Sequence, residues 1–120
     1  MAGPVHFILA DDPEEAWARA EPHFRYQWDS YRRQMAAGRG MQSPPPIDTE
    51  QWRQPGDGGA PPRIGVLRAD EAARLLRGWL AGAPVREIFL WASIAGMPDD
   101  LVRRHVELVC TRLRPALADA

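Results

Sequence analysis

The stretch "VREIFLWASIAGMPDD", residues 85–100, decides how the chain folds. From Val85 to Ile94 it is apolar on both alternating faces, with Ile88, Leu90 and Ala92 on one and Phe89 and Trp91 on the other. Charge appears only at its start, in Arg86 and Glu87. Such a strand belongs in a parallel sheet covered on both sides. The one other strong strand signal is "PVHFILA", residues 4–10, and "RIGV" at 63–66 reads as a short extended piece.

Working outward, helices fill the remaining positions. Asp12 caps a helix that Pro13 opens, with Glu15 placed to complete a capping box. Trp17, Ala20, Phe24, Trp28, Tyr31 and Met35 recur at steps of three and four, one apolar stripe running through residue 37. Pro22 lies inside it, which predicts a kink or two abutting helices. "ADEAARLLRGWLAGAP" predicts a helix with Ala72, Leu75, Leu76, Trp79 and Leu80 inward, ended by Gly82 and Pro84. A last helix starts near Pro98 on Val102, Val106, Val109 and Leu113, with Arg103 and Glu107 at ion-pair spacing and Pro115 at its end. Residues 38–62 hold much of the Pro and Gly and read as a lid-like loop, with Asp48 or Thr49 capping a short turn.

The order is strand, long insertion, helix, strand, helix. Consecutive strand–helix units imply parallel strands with right-handed crossovers. The reading is therefore α/β, with 4–10 and 85–93 as parallel neighbours and the helices of 69–81 and 98–114 on one side. Two strands have more faces and edges than these helices cover, so residues 1–120 read as part of a larger domain.

Composition bounds the function. All 15 basic residues are Arg and the formal net charge is −1. A near-neutral balance argues against general nucleic-acid or anionic-membrane binding. No apolar run is long enough to span a bilayer, and the single cysteine, Cys110, cannot close an internal disulfide. A cytoplasmic setting is expected. The three histidines, His6, His23 and His105, are too scattered for a zinc site, and no metal is expected. Structural roles are expected for all three. Glu14 and Glu15 point to different helix faces and read as helix-start carboxylates, not an acid–base pair.

Several stretches together carry a family resemblance. "HFILADDPEEAWARA", then "YQWDSYRRQM" followed by "EQWR", then "REIFLWASIAGMPDDLVRRHVELVCTRLRPAL" resemble, in order and spacing, the C-terminal portion of luciferase-like, flavin-dependent monooxygenases. The family's Glu-Leu and terminal Pro-x-Leu fall on Glu107, Leu108, Pro115 and Leu117, whereas "IGVLRADEAA" keeps Gly65 but lacks the family's Thr-Pro. The resemblance implies strands seven and eight of a (β/α)₈ barrel, a fold of about 250 residues, with the 38–62 insertion as a lid over the mouth. It implies FMN or a deazaflavin as cofactor and a small organic substrate for oxygen insertion or hydride transfer. Ser93, Gly96 and Met97, after the last strand, are the candidate cofactor contacts, and Trp52, Arg53 and Arg63 the candidate lid residues. No residue is assigned as catalytic. The expected partner is the missing barrel portion or another copy of the chain. The alternative is a small non-catalytic helical protein that pairs with itself or a partner through exposed strand edges.

Overall fold

The computed structural model describes residues 2–56, 61–82, 87–94 and 96–118, and over residues 2–5 the backbone alone. Strands β1 (Ala2–Val5) and β2 (Phe7–Leu9) are one extended segment interrupted at His6. The other elements are α1 (Pro13–Gly38), α2 (Thr49–Trp52), β3 (Gly65–Leu67), α3 (Ala69–Leu80), β4 (Glu87–Leu90), α4 (Asp99–Leu108) and α5 (Arg114–Ala118), with a π-helical stretch, Val109–Leu113, joining the last two. The fold is mixed α/β.

All strand pairing is parallel. β1 pairs with β4, setting Pro4 beside Phe89 and Val5 beside Leu90, and β2 pairs with β3, setting Ile8 beside Val66. The first pair is the expected one, but shorter: the strand ends at Leu90 rather than Ile94, and Val85 and Arg86 lie outside the described residues. The second pair corrects the reading of "RIGV" as a mere extended piece. Its three strand residues are all buried, but so short a run carries no alternation to announce it.

The two partners lie on opposite sides of the 2–9 segment. The Ala10 N–H donates to the Leu67 carbonyl at 2.9 Å, so it faces β3. The Leu9 N–H faces away and donates to His105 Nδ1 at 2.9 Å, while His105 Nε2 lies 2.8 Å from the Trp91 carbonyl at the end of β4. By the same alternation the missing N–H of Pro4 falls on the side where β1 has no partner strand, the place a sheet tolerates proline.

Both faces of the central segment are covered. Phe7, Leu9 and Leu67 pack with Ala72, Ala73 and Leu76 of α3 and with Leu108 and Leu113, and Ile88 and Leu90 join that cluster half-buried. Ile8, Ala10 and Val66 pack on the other face with Ala16, Trp17, Ala20 and Phe24 of α1 and with Ile94, Met97 and Leu101. The expectation that both helices lie on one side holds only in part: Leu108 and Leu113 join α3, whereas the N-terminal end of α4 reaches the other face through Leu101, beside α1, which covers the face that the sequence left open. That cover stops short of β4: Phe89 is 46% and Trp91 51% exposed.

The helices depart from the sequence reading in several respects, and the buried face of α4 is Leu101, His105 and Leu108, with the expected stripe residue Val106 exposed. α1 is a single helix through Pro22, whose exposed ring sits opposite the core and leaves the Ala18 carbonyl without its helical donor. The apolar stripe of α1 is buried only as far as Phe24; Tyr31 and Met35 are exposed because that end of the helix runs past the sheet. Trp79 is 49% exposed rather than inward, since the buried face of α3 runs through Ala72, Ala73 and Leu76. Pro115 does not end the last helix. Its ring could not sit against the Thr111 carbonyl in α geometry, and the chain widens into the π-helical stretch, with the Arg114 N–H bonded back to the Val109 carbonyl, before turning into α5.

Asp12 caps α1 by accepting from the Glu15 N–H at 3.3 Å. The Glu15 carboxylate turns to Arg19 at 3.7 Å instead of completing a capping box. Glu107 reaches Arg104 at 3.1 Å rather than Arg103.

Candidate functional site

An apolar cleft opens between α1 and the end of β4. It holds about 580 Å³ and is lined by His6, Gln27, Trp28, Tyr31, Trp91 and Ser93. Its place follows from the topology. His6 sits where the central segment breaks, Gln27, Trp28 and Tyr31 come from the part of α1 beyond Phe24, and Trp91 and Ser93 follow β4. Crevices beyond the carboxyl ends of parallel strands are the usual ligand positions in α/β sheets.

The walls are aromatic. Trp28 contacts His6 edge-to-face at 5.1 Å between centroids, Tyr31 at 6.2 Å and Trp52 at 5.5 Å. Trp28 Nε1 and His6 Nδ1 are buried without a hydrogen-bond partner. Each such group costs about 1–3 kcal/mol, a cost borne by two of the residues that line the cleft. Burial lowers the His6 pKa from its ordinary 6.5 and keeps the ring neutral near pH 7. Among the described residues no carboxylate or guanidinium lines the cleft, which suits a flat, uncharged ring system.

Of the sequence candidates, Ser93 lines the cleft, with its Oγ 3.2 Å from the Ile94 carbonyl. Gly96 and Met97 belong to the turn that follows. Gly96 adopts φ +75°, and a Cβ there would lie 3.3 Å from His23 Nδ1. Met97 packs in the core under α1, 4% exposed. The lid candidates gather beside α1. Trp52 touches Trp28, and Arg63 stacks on Trp52 at 4.9 Å. Arg53 stacks on Trp17 at 4.5 Å and pairs with Glu14 at 2.7 Å. Trp28 therefore joins the two groups, with Ser93 across the cleft on one side and Trp52 on the other.

The described part of the 38–62 segment is tied down along α1. Ile47 is buried and donates its N–H to Asp29 Oδ1 at 2.9 Å, and Thr49 donates to Glu21 at 3.1 Å. Asp48 caps α2 by accepting from the Gln51 N–H at 3.2 Å. The remainder of that expected loop, 57–60, lies outside the described residues.

Sequence reasoning missed His6, Gln27, Trp28, Tyr31 and Trp91 as cleft residues. Trp28 and Tyr31 carried an aromatic signal that helical spacing assigned to packing, and nothing in the sequence brings His6 against Trp28.

A second, more polar cleft of about 340 Å³ lies beyond β2 and β3, among Asp11, Arg68, Asp70, Arg104 and Arg112. Its charges largely answer each other. Arg104 binds Asp11 in two bonds of 2.7 and 2.9 Å, which hold the Asp11 carboxyl below the usual carboxylate range. Among the described residues no group of three His, Cys, Asp or Glu could hold a metal, and no helix is long and apolar enough to cross a membrane. No protein-family model and no curated protein matches the sequence, which leaves the cleft's own residues as the guide to its chemistry.

Proposed function

We propose that the chain is the C-terminal portion of a luciferase-like flavin-dependent oxidoreductase or monooxygenase, standing at about the seventh and eighth strands of a (β/α)₈ barrel and acting on a small organic substrate. The observation that supports this best is the aromatic cleft beyond β4, since barrel sites open at the carboxyl ends of the strands. Its volume of about 580 Å³ falls in the range of small-molecule pockets, about 300–1,000 Å³. The residues fit a flavin ring: Trp28, Tyr31 and Trp91 offer flat walls, and Gln27 and Ser93 bring polar side chains to the cleft. They do not supply a phosphate contact, which falls to an exposed lid cation, Arg63, stacked on Trp52. FMN or a deazaflavin, when bound, supplies hydride transfer or oxygen activation. The chain's own part is to hold the ring and, through α1 and Trp52, keep water from it.

The pairing of β3 with β2 bears on this proposal. In the described fold β3 takes the edge where a sixth barrel strand would lie, so completing a barrel would displace it. Isolated chain should accordingly bind flavin weakly and not turn over. Titration of FMN against the chain, followed by flavin fluorescence, tests this, with and without the rest of a luciferase-like barrel supplied as a fusion. Tight binding only in the completed barrel is expected. A monomer that binds FMN at micromolar Kd alone would show a complete small flavoprotein instead.

A second reading is favoured by one observation. Phe89 and Trp91 are half exposed beside an edge of β4 that has no partner strand among the described residues. Such an edge templates pairing, which supports a non-catalytic chain that self-associates.

A further inference from the structure

We infer that two copies of the chain pair antiparallel along the outer edges of β4, with Phe89 on the two-fold axis. The inference rests on the self-association reading and supplies its geometry.

The outer backbone groups of β4, which have no partner strand among the described residues, fix the register. The Trp91 carbonyl points inward to His105. Alternation along a strand then turns the Phe89 N–H and C=O inward too, toward β1, and those of Ile88 and Leu90 outward. A two-fold axis at Phe89 sets Ile88 against the partner copy's Leu90, and Leu90 against its Ile88. Both outward-facing residues are thereby bonded within the strand as it stands, Glu87–Leu90. An axis at Leu90 would need Ala92 as a strand residue, but the chain bends there. An axis at Ile88 would set Leu90 against Arg86.

The side chains favour a second copy as the occupant. About Phe89 the strand is self-complementary, as a two-fold interface requires. The ring meets its own copy, and the half-buried Ile88 and Leu90 meet each other on the opposite face. The only charge on the strand, Glu87, falls opposite Trp91 and not opposite another carboxylate. The exposed aromatic face of each copy, Phe89 and Trp91, then continues into that of the other, next to Tyr31, itself 56% exposed. One short strand covers less than the roughly 800 Å² per partner of a standard interface, so the dimer should form and dissociate with concentration.

The test uses cysteine pairs in a chain carrying Cys110→Ser, because Cys110 is exposed and could cross-link by itself. Facing Phe89 positions form a non-hydrogen-bonded pair with Cα atoms about 4.5 Å apart, inside the disulfide range of about 4.4–6.8 Å. Phe89→Cys should therefore form a covalent dimer on oxidation, and lose that ability in urea. Ile88→Cys and Leu90→Cys should link poorly alone but efficiently when mixed. Sedimentation of the unmodified chain should show concentration-dependent dimers, and Phe89→Lys should abolish them while circular dichroism stays unchanged. Dimers in which Phe89→Cys does not link, or Ile88→Cys links to itself, overturn the register and leave self-association standing. A monomer at every concentration overturns both.

Discussion

His105 joins two strands that would otherwise separate. It is 1% exposed, and its ring spans the gap between the Leu9 N–H and the Trp91 carbonyl. Because Nδ1 accepts from an N–H, the proton must sit on Nε2, which donates to Trp91. A second proton on Nδ1 would face the Leu9 N–H with another donor. Burial lowers the pKa from 6.5, against a smaller opposing effect of the Trp91 bond. A lowered folded pKa means that the unfolded chain takes up the proton first. The stability due to neutral His105 is full above about pH 6.5 and falls as the pH drops toward the folded value. Urea titrations at pH 7.5 and 5.5 should show this loss, with a share from His6, shifted in the same direction. His105→Leu should remove the His105 share and cost about 2–5 kcal/mol, from two orphaned backbone groups. Gly96→Ala should cost about 1–2 kcal/mol, for the left-handed backbone and the approach to His23. The sequence gives His105 a structural role, as a partly buried ring, and the structure agrees on the role while burying the ring fully. It could not name the partners, since they lie 96 and 14 residues away.

At the scale of elements, α1 carries a removable defect. Pro22 is exposed and the helix runs through it, so Pro22→Ala should restore a donor to the Ala18 carbonyl and raise stability by about 1–3 kcal/mol. Thermal unfolding of the variant checks this; a lower midpoint would mean that the ring's packing outweighs the lost bond. The elements were the most legible part of the sequence. Helix faces follow from spacing wherever a helix packs over its whole length, and the Ala72–Leu76 face and the Trp17–Phe24 stripe were both readable. The reading failed where packing stops midway, at Tyr31, Met35 and Trp79, because periodicity shows which residues share a side but not how far the neighbour reaches. β3 escaped for lack of length. The cleft escaped for a further reason: α1 and β4 meet there, and neither encodes the meeting alone.

For the whole molecule, the two unpaired sheet edges matter most. β3 and β4 each have a single partner strand among the described residues, and the aromatic face beside β4 is uncovered. Trp91→Ser should lower the tendency to associate without unfolding the chain, since Trp91 is half exposed and contributes little to the core. Light scattering across a concentration series, with circular dichroism as the control, reads both effects. Unchanged scattering would place the sticky surface elsewhere, for instance at Tyr26 or Met41, which are 64% and 63% exposed.

The segment at the centre of the sheet is also synthesised before either of its partner strands. Residues 2–9 must wait for 65–67 and 87–90 before their backbone is paired. At a synthesis rate of about 5–20 residues per second, the interval from Leu9 to Leu90 is roughly 4–16 s. During that time an apolar stretch, "FILA", is in the cell without its sheet. α1, made directly after it, can shelter one side, by laying Trp17 and Phe24 over Ile8. The long amphipathic helix would thus act as a chaperone in cis for the strand it follows, before it serves as a wall of the finished fold.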